Sequence, residues 1–359
     1  MPGNSIGHTL VLTTFGESHG PAVGGILDGY PPRIDIDPDF LQLEINRRRA
    51  GRAFYSSARK EDDIFEILSG VFEGKSTGAP IAFLARNTDA KPEHYLELKE
   101  AYRPSHADFT WEKKFGVRDY RGGGRASARE TLARVIGGAL AKLFLRKQGI
   151  SITGYVSQIG NCRLDEDFIP GDAAAILAST VGCPDPLTEA IMIRLLEAAK
   201  TEGDTLGGVI SCRINGVPAG LGEPVFDKLS ADLAKAMLGI PSAKGFEYGS
   251  GFSAASMKGS EHNDLFITRN QSITTETNRS GGIQGGISNG NEIFFRVAFK
   301  PVASLMKDQE TVNRQGEKIV LKGKGRHDVC VVPRAIVVVE AMAALVIADH
   351  FLRQRQPAV

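Results

Sequence analysis

Cysteine is scarce in this 359-residue chain: Cys162, Cys183, Cys212 and Cys330 are its four, and none has the paired spacing of a metal knuckle or redox motif. They read as buried free thiols in a reducing compartment, which excludes a disulfide framework. Net charge is scarce too, since 43 basic residues meet 42 acidic ones for a formal +1. A general nucleic-acid binder would carry a basic excess, so that class is excluded. The N-terminus shows no basic stretch leading into an apolar run and a cleavage site, and a cytoplasmic location is expected. Long uninterrupted apolar runs are missing as well. The most apolar segment, 335–352, is broken by Glu340, Asp349 and His350 and follows Pro333, which a first helical turn accepts. It is expected to be a buried core helix. Nothing in the composition marks a linker, a repeat or a domain boundary.

What is present is glycine, 41 residues spread along the chain, and arginine gathered in a few places. Residues 118–134, Arg-Asp-Tyr-Arg-Gly-Gly-Gly-Arg-Ala-Ser-Ala-Arg-Glu-Thr-Leu-Ala-Arg, set five arginines and a glycine triplet where a long helix should start. Glycine lets backbone approach a ligand, the N–H groups of a first helical turn favour an anion, and arginine grips phosphate or carboxylate with a planar fork. Ser127 and Glu130 have capping-box spacing, and Leu132, Val135, Ile136, Ala139, Leu140, Leu143 and Phe144 recur at helical period until Gly149. A solvated, charged helix start is the plain alternative; the triplet and cap in register with the arginines favour a ligand site. A second group, Arg47, Arg48, Arg49 and Arg52, closes an expected helix and precedes Arg59. The helix dipole alone favours basic residues there, though this density exceeds that need.

Hydrophobic periodicity predicts strands over 9–14, 64–71, 81–85, 152–159 and 292–298. It predicts helices over 38–48, from 128 to the glycine at 149, over 187–200 and 227–238, and at the apolar C-terminal segment. Asn215-Gly216 is a hairpin signal. Elements of both kinds without regular alternation indicate an α+β fold, helices buried against antiparallel sheets.

Two segments imitate familiar motifs. Gly16-Glu17-Ser18-His19-Gly20 fits the serine nucleophile elbow, but that elbow must run into a helix, and Pro21, Gly24, Gly25 and Gly29 come next. Residues 70–76, Gly-Val-Phe-Glu-Gly-Lys-Ser, have three residues between glycines where a phosphate loop needs four, and Gly78 and Pro80 would spoil the receiving helix. A turn between two strands is expected there.

His19 sits in the glycine-bounded turn, and His106 sits in Arg103-Pro104-Ser105-His106-Ala107-Asp108, another stiff turn. Loop histidines are usually structural or merely exposed; beside an arginine-bound phosphate, however, an imidazole can donate a proton near neutral pH. Residues 281–290, Gly-Gly-Ile-Gln-Gly-Gly-Ile-Ser-Asn-Gly, leave room for a flat ligand against backbone, ahead of Lys300-Pro301-Val302-Ala303-Ser304. Gly325-Arg326-His327-Asp328 forms a charged turn before the last helix, where Asp328 can act as a base or simply flank the helix.

Five of these motifs, residues 16–20, 103–108, 121–130, 281–290 and 325–328, in this order and over essentially the whole length, resemble those of chorismate synthases. The resemblance implies a lyase that converts 5-enolpyruvylshikimate 3-phosphate to chorismate by 1,4-anti-elimination of phosphate and a ring proton, the last step of the shikimate route to aromatic amino acids. It implies a requirement for reduced FMN without net redox change, with NADPH only an indirect source of electrons through an external flavin reductase. Carried over by motif, His19 would protonate or neutralise the leaving phosphate, His106 would protonate or stabilise reduced flavin, and Asp328 would assist removal of the flavin N5 proton. Arg48, Arg49, Arg103, Arg129 and Arg326 would hold substrate anions. Arg125, Ala126, Ser127, Ser242, Ala243, Gly285, Lys300, Pro301, Val302, Ala303, Ser304 and Arg326 would contact FMN. No metal, nucleic acid or membrane is implied. The family architecture would make 1–359 a single domain of helices sandwiched between antiparallel sheets, assembled as a homotetramer. Ser105, Ala126, Phe54 and the run Ile240-Pro241-Ser242-Ala243 depart from the common family pattern, and none removes an implied catalytic group. A non-catalytic FMN-binding protein or a flavin oxidoreductase on this scaffold is the alternative.

Overall fold

The computed structural model describes residues 3–49, 54–56, 62–88, 95, 97–165, 168, 173–323 and 328–354. Its first antiparallel sheet is built from Ser5–Ile6 (β1), Val11–Phe15 (β2), Ala22–Asp28 (β3), Phe65–Ile67 (β4) and, after the small hairpin Val71–Phe72 (β5) and Lys75–Ser76 (β6), Ile81–Arg86 (β7). The spatial order is β1-β2-β3-β7-β4. A second sheet holds Ser151–Ile159 (β8), Cys162–Arg163 (β9), Gly208–Asn215 (β10) and Ala243–Tyr248 (β11). Two hairpins follow, Phe266–Arg269 (β12) with Ser272–Thr275 (β13) and Ile283–Gln284 (β14) with Ile287–Ser288 (β15), before Ile293–Phe299 (β16) completes that sheet in the order β11-β16-β10-β8-β9. Along β16 the alternate residues Ile293, Phe295, Val297 and Phe299 are buried, the period of a sheet with one face on the core.

Between the sheets run two long helices, Thr131–Lys147 (α3) and Val332–Arg353 (α8), joined by the shorter Pro38–Arg48 (α1); the other α-helices among the described residues are Asp108–Phe115 (α2), Ala173–Ala178 (α4), Pro186–Thr201 (α5), Leu229–Leu238 (α6) and Gly259–His262 (α7). Helix α3 packs on β2, β3 and β7, while α8 packs on β8 and β10. The two are parallel, because Gly138 meets Ala341 and the rings of Phe144 and Phe351 lie 5.7 Å apart one layer further on. Their N-termini therefore share one end of the molecule. Helix α8 has the length and apolarity to cross a membrane, yet its residues from Ala335 to His350 are all buried inside the fold. That is the core helix expected from its interrupting charges.

Three buried charges, Glu44, Lys142 and Glu340, and the half-buried Arg47 close this interior. Arg47 donates to both oxygens of Glu340, at 2.6 and 2.9 Å, and to Glu44 at 2.8 Å. Lys142 Nζ reaches Glu340 at 2.6 Å and also bonds Glu44, and Gly154 N–H donates to Glu340 at 2.9 Å. Burial opposes ionisation of Glu340, but Lys142 and Arg47 outweigh it and hold the carboxyl below its usual range.

Several boundaries and one connection differ from the sequence reading. Residues 64–71 do not make one strand: β4 and β5 are separated at Gly70, whose φ of +79° breaks the extended run. β3 was masked by its adjacent Gly24 and Gly25, which lower strand propensity but admit Phe15 and Phe83. Asn215-Gly216 does not turn a hairpin, since β10 pairs with β8 and β16 instead. A Cβ on Gly216 would stand 2.2 Å from Gly149 O, so tight packing of two chain exits explains that glycine. Residues 70–76 are the expected turn between short strands, and residues 16–20 lead into strand β3, not into a hydrolase helix. The capping box also fails to form. Ser127 Oγ accepts from Arg129 N at 3.3 Å within a 3₁₀ turn, α3 starts at Thr131, and the Glu130 carboxylate turns to Thr14 at 3.0 Å and Arg134 at 2.9 Å.

Candidate active site

The shared N-terminal end of α3 and α8 gathers most of the candidate residues. Gly122, Gly123 and Gly124 all have positive φ, +62°, +88° and +53°, a run that only glycine adopts readily. The turn at residues 17–20 is stitched to this loop: Ser18 N donates to Gly124 O at 3.2 Å and Ser18 Oγ to Arg121 O at 3.1 Å. His19 Nδ1 lies 3.0 Å from Ser18 Oγ, and its ring meets Tyr95 edge-on at 4.9 Å. A Cβ on Gly123 would in turn stand 3.1 Å from His106 Cε1. The two histidines thus stand over consecutive glycines.

The turn that carries His106 is clamped by Asp108 at the start of Asp108–Phe115 (α2). Arg103 gives Asp108 two side-chain bonds at 2.8 Å, Arg118 adds a contact at 3.1 Å, and His106 Nδ1 lies 3.0 Å from the same carboxylate. Burial opposes charge on Asp108, yet the bonds from Arg103 and His106 hold its carboxyl well below the usual range. Ser105, one of the departures from the family pattern, takes a left-handed φ of +60°. Its carbonyl accepts from Lys300 Nζ at 2.7 Å, which ties the end of β16 to the histidine turn. Burial, with Lys244 adding to it, pushes the Lys300 ammonium below its ordinary value. Lys300 N–H donates to Ser242 O at 3.0 Å, so the Ser242–Ala243 start of β11 adjoins the Lys300 segment. Pro301, Val302, Ala303 and Ser304 continue from there, and Val302 O accepts from Thr205 Oγ1 at 2.9 Å. Thr205 is next to Leu206, whose N–H donates to Val329 O at 2.9 Å and so brings the segment beside Asp328.

From Asp328 the contacts lead back to His19. Arg334 Nη1 donates to both Asp328 oxygens at 2.8 and 2.7 Å, and Arg334 Nε donates to Arg48 O at 3.0 Å. Arg48 Nη2 reaches Asp63 at 3.1 Å, and the other Asp63 oxygen accepts from Arg129. Arg129 Nε donates to Asn87 Oδ1 at 2.8 Å, while Asn87 Nδ2 donates to Glu17 O at 3.0 Å and Gly20 O at 2.7 Å, on either side of His19. Burial pushes Arg48 down to about 10 against the pull of Asp63. These links, from His19 through the glycines, His106, Lys300, Val329 and Asp328 and back through Arg48 and Arg129, form a closed circuit.

Other candidates are placed differently. Arg125 and Ala126 lie in the 3₁₀ turn Gly124–Ala126, and Arg125 faces inward to Thr14 O at 2.9 Å and Asn4 at 3.3 Å, with burial lowering its pKa. Arg49, at the end of α1, pairs with Asp62 at 3.0 Å. Gly285 is elsewhere, in a groove of about 950 Å³ with Phe246, Tyr248 and Phe266 at the far end of β11, a groove that none of the other candidates among the described residues lines. Arg326, and with it Arg52, Arg59 and His327, lies outside the described residues. Asp63, Asn87 and Arg334 escaped the sequence reading. None stands in a motif, and their partners are distant in the chain.

The chemistry on offer is that of an anion site served by two imidazoles: guanidinium groups held in place by protein carboxylates, an ammonium, and a carboxylate at the N-terminal end of a core helix. Comparison with known proteins identifies the family. Residues 10–352 match the family model described as chorismate synthase. A chorismate synthase of Phocaeicola vulgatus is 54% identical over 352 residues, covering 98% of each chain. One from Cytophaga hutchinsonii is 56% identical over 353 residues with the same coverage. A crystal structure of a chorismate synthase superposes with a TM-score of 0.78 at 31% identity, covering 97% of this chain and 93% of the other.

Proposed function

This chain belongs to the chorismate synthase family, and from that premise we propose that it performs the family's lyase reaction, eliminating phosphate and a ring proton from 5-enolpyruvylshikimate 3-phosphate. The observation that carries the reading is the seating of His19 and His106 on Gly122 and Gly123 inside one circuit with Arg48, Arg129 and Asp328.

His19 is the residue we assign to the leaving phosphate. Ser18 Oγ donates to Arg121 O and lies 3.0 Å from His19 Nδ1, and Nε2 is the nitrogen we assign to proton exchange. Arg48 and Arg129, aimed by Asp63, hold substrate anions together with Arg49, Arg103 and Arg326. Asp328, held through both oxygens by Arg334, is the proton acceptor.

The residues suit FMN. Lys300 ties the Ser242–Ala243 start of β11 to the His106 turn through Ser105, which places an ammonium and backbone groups where an anionic cofactor would lie beside that imidazole. Arg125 to Ser127 and Pro301 to Ser304 complete the set, and His106 stabilises the reduced form. Reduced FMN, when bound, supplies an electron-rich ring that assists phosphate departure without net redox change. Gly285, at the far end of β11, stands apart from this set, and the homotetramer follows from family membership alone. Electrons come from NADPH only through a separate flavin reductase, and the setting is cytoplasmic.

The test is an anaerobic assay with FMN, dithionite and 5-enolpyruvylshikimate 3-phosphate, following phosphate and chorismate absorbance together against an oxidised control. Product in the reduced sample alone is expected. Bound FMN without product would overturn the reading, and product from NADPH and FMN alone would remove the reductase.

A further inference from the structure

The Asn87 amide is used in full, and its partners decide which way it faces. Arg129 Nε can only donate, so the atom 2.8 Å away must be Oδ1; the carbonyls of Glu17 and Gly20 can only accept, so the atom at 3.0 and 2.7 Å must be Nδ2. The two carbonyls belong to the first and last residues of the turn that presents His19, a turn closed by Gly20 N–H donating to Glu17 O at 3.1 Å. Asn87 N–H itself donates to Pro21 O at 3.1 Å, which fixes the side chain's origin against the same segment. One side chain at the end of β7 therefore holds the proton-donating histidine's turn with one atom and a phosphate-gripping arginine with another.

We propose that Asn87 is a positioning residue for the elimination, setting His19 and Arg129 in register so that proton and guanidinium reach the same leaving phosphate. This rests on the functional reading above. The Arg129 end is supported independently by Asp63, which accepts from its Nη1, whereas the Glu17 and Gly20 carbonyls receive their side-chain donor from Asn87. Loss of the amide donors should therefore disturb His19 more than Arg129. Asn87→Asp separates the two functions, since it keeps an acceptor for Arg129 and turns an oxygen toward both carbonyls.

The experiment compares the FMN-loaded full chain with its Asn87→Asp and Asn87→Ala variants. In Asn87→Asp, kcat should fall about 30-fold, the scale of a displaced catalytic group, with KM for 5-enolpyruvylshikimate 3-phosphate within about threefold. In Asn87→Ala, KM should also rise about tenfold, while FMN affinity stays as in the parent chain in both variants. The second readout needs no turnover: the His19 ring resonance followed against pH, with His350 at the opposite end as the control. The His19 midpoint should move by about half a unit or more in both variants, while the His350 ring resonance is unchanged between variants. An unmoved His19 midpoint, a wild-type kcat in Asn87→Asp, or equal losses of kcat and FMN affinity would overturn the proposal. If the parent chain makes no chorismate, the lyase reading fails, and the His19 titration still decides whether Asn87 governs that ring.

Discussion

Gly122 lies against the His19 ring so closely that a Cβ on it would stand 2.3 Å from Cε1 and 2.5 Å from Nδ1. Its φ of +62° adds a backbone reason for glycine. Gly122→Ala should displace the imidazole and lower turnover by about 100-fold, the effect of misplacing a reacting group by about 1 Å, at a stability cost of about 1–2 kcal/mol for the left-handed backbone. Steady-state rates beside a thermal melt check this, and full activity would show that His19 reaches its substrate from another position.

His106→Ala removes an imidazole and should reduce turnover by about one to three orders of magnitude, the range for a proton donor or acceptor. FMN fluorescence quenching should still report binding. Unchanged turnover would take His106 out of the mechanism.

Asp63 is a buried carboxylate shared by Arg48 and Arg129. Asp63→Asn leaves two guanidinium groups inside without their counter-charge and should cost about 3–5 kcal/mol in urea unfolding. Burial opposes its ionisation, but the two arginines hold its pKa below the usual value. A depressed carboxylate stabilises the fold above its unfolded pKa of about 4, and that share is lost as pH falls through the folded value. The melting temperature of the parent chain should accordingly drop more steeply below about pH 4 than that of Asp63→Asn; parallel curves would show that Asp63 does not titrate with unfolding.

At the crossing of α3 and α8, a Cβ on Gly138 would lie 2.3 Å from Ala341 Cβ and 2.5 Å from its Cα. Gly138→Ala gains helix propensity but overpacks two backbones, so a net loss of about 1–3 kcal/mol is expected by calorimetry. A rise in melting temperature would mean that the helices separate without cost.

Burial pushes the Cys183 thiol up to about 11 and the Cys330 thiol up to about 12, and holds that of Cys212 well above its ordinary value. A thiol-reactive dye at pH of about 8 should label at most the less buried Cys162 in the native chain and all four cysteines after unfolding. Rapid native labelling of Cys330 would contradict the packing at the start of α8.

Much of the fold was legible because its signals are local. Asp37 caps α1 at Phe40 N, Pro38 opens it, and Arg47 and Arg48 close it, all within the span that the periodicity marked. The alternation of β16 and the continuous apolar face of α8 are equally local. The two histidine turns and the glycine triplet could be recognised one by one, because stiff turns and positive-φ glycines announce themselves in a few residues. The hairpin at Asn215-Gly216 misled for the same reason: a turn dipeptide shows that the chain can bend, while the partner of β10 is chosen by hydrophobic faces elsewhere.

By itself the amino-acid order determined the family, the long helices α1, α3 and α8, and the alternation of β16. Only the tertiary structure decided what each arginine does. Arg47, Arg48 and Arg49 are neighbours in sequence, yet successive helical positions diverge by about 100°, so Arg47 faces Glu340 in the core, Arg48 faces Asp63 and Arg49 faces Asp62. Asn87 and Arg334 acquire their roles across 42 and 286 residues of chain. Such roles follow from which surfaces the packing of two sheets around α3 and α8 brings together, and no spacing along the chain encodes that distance in space.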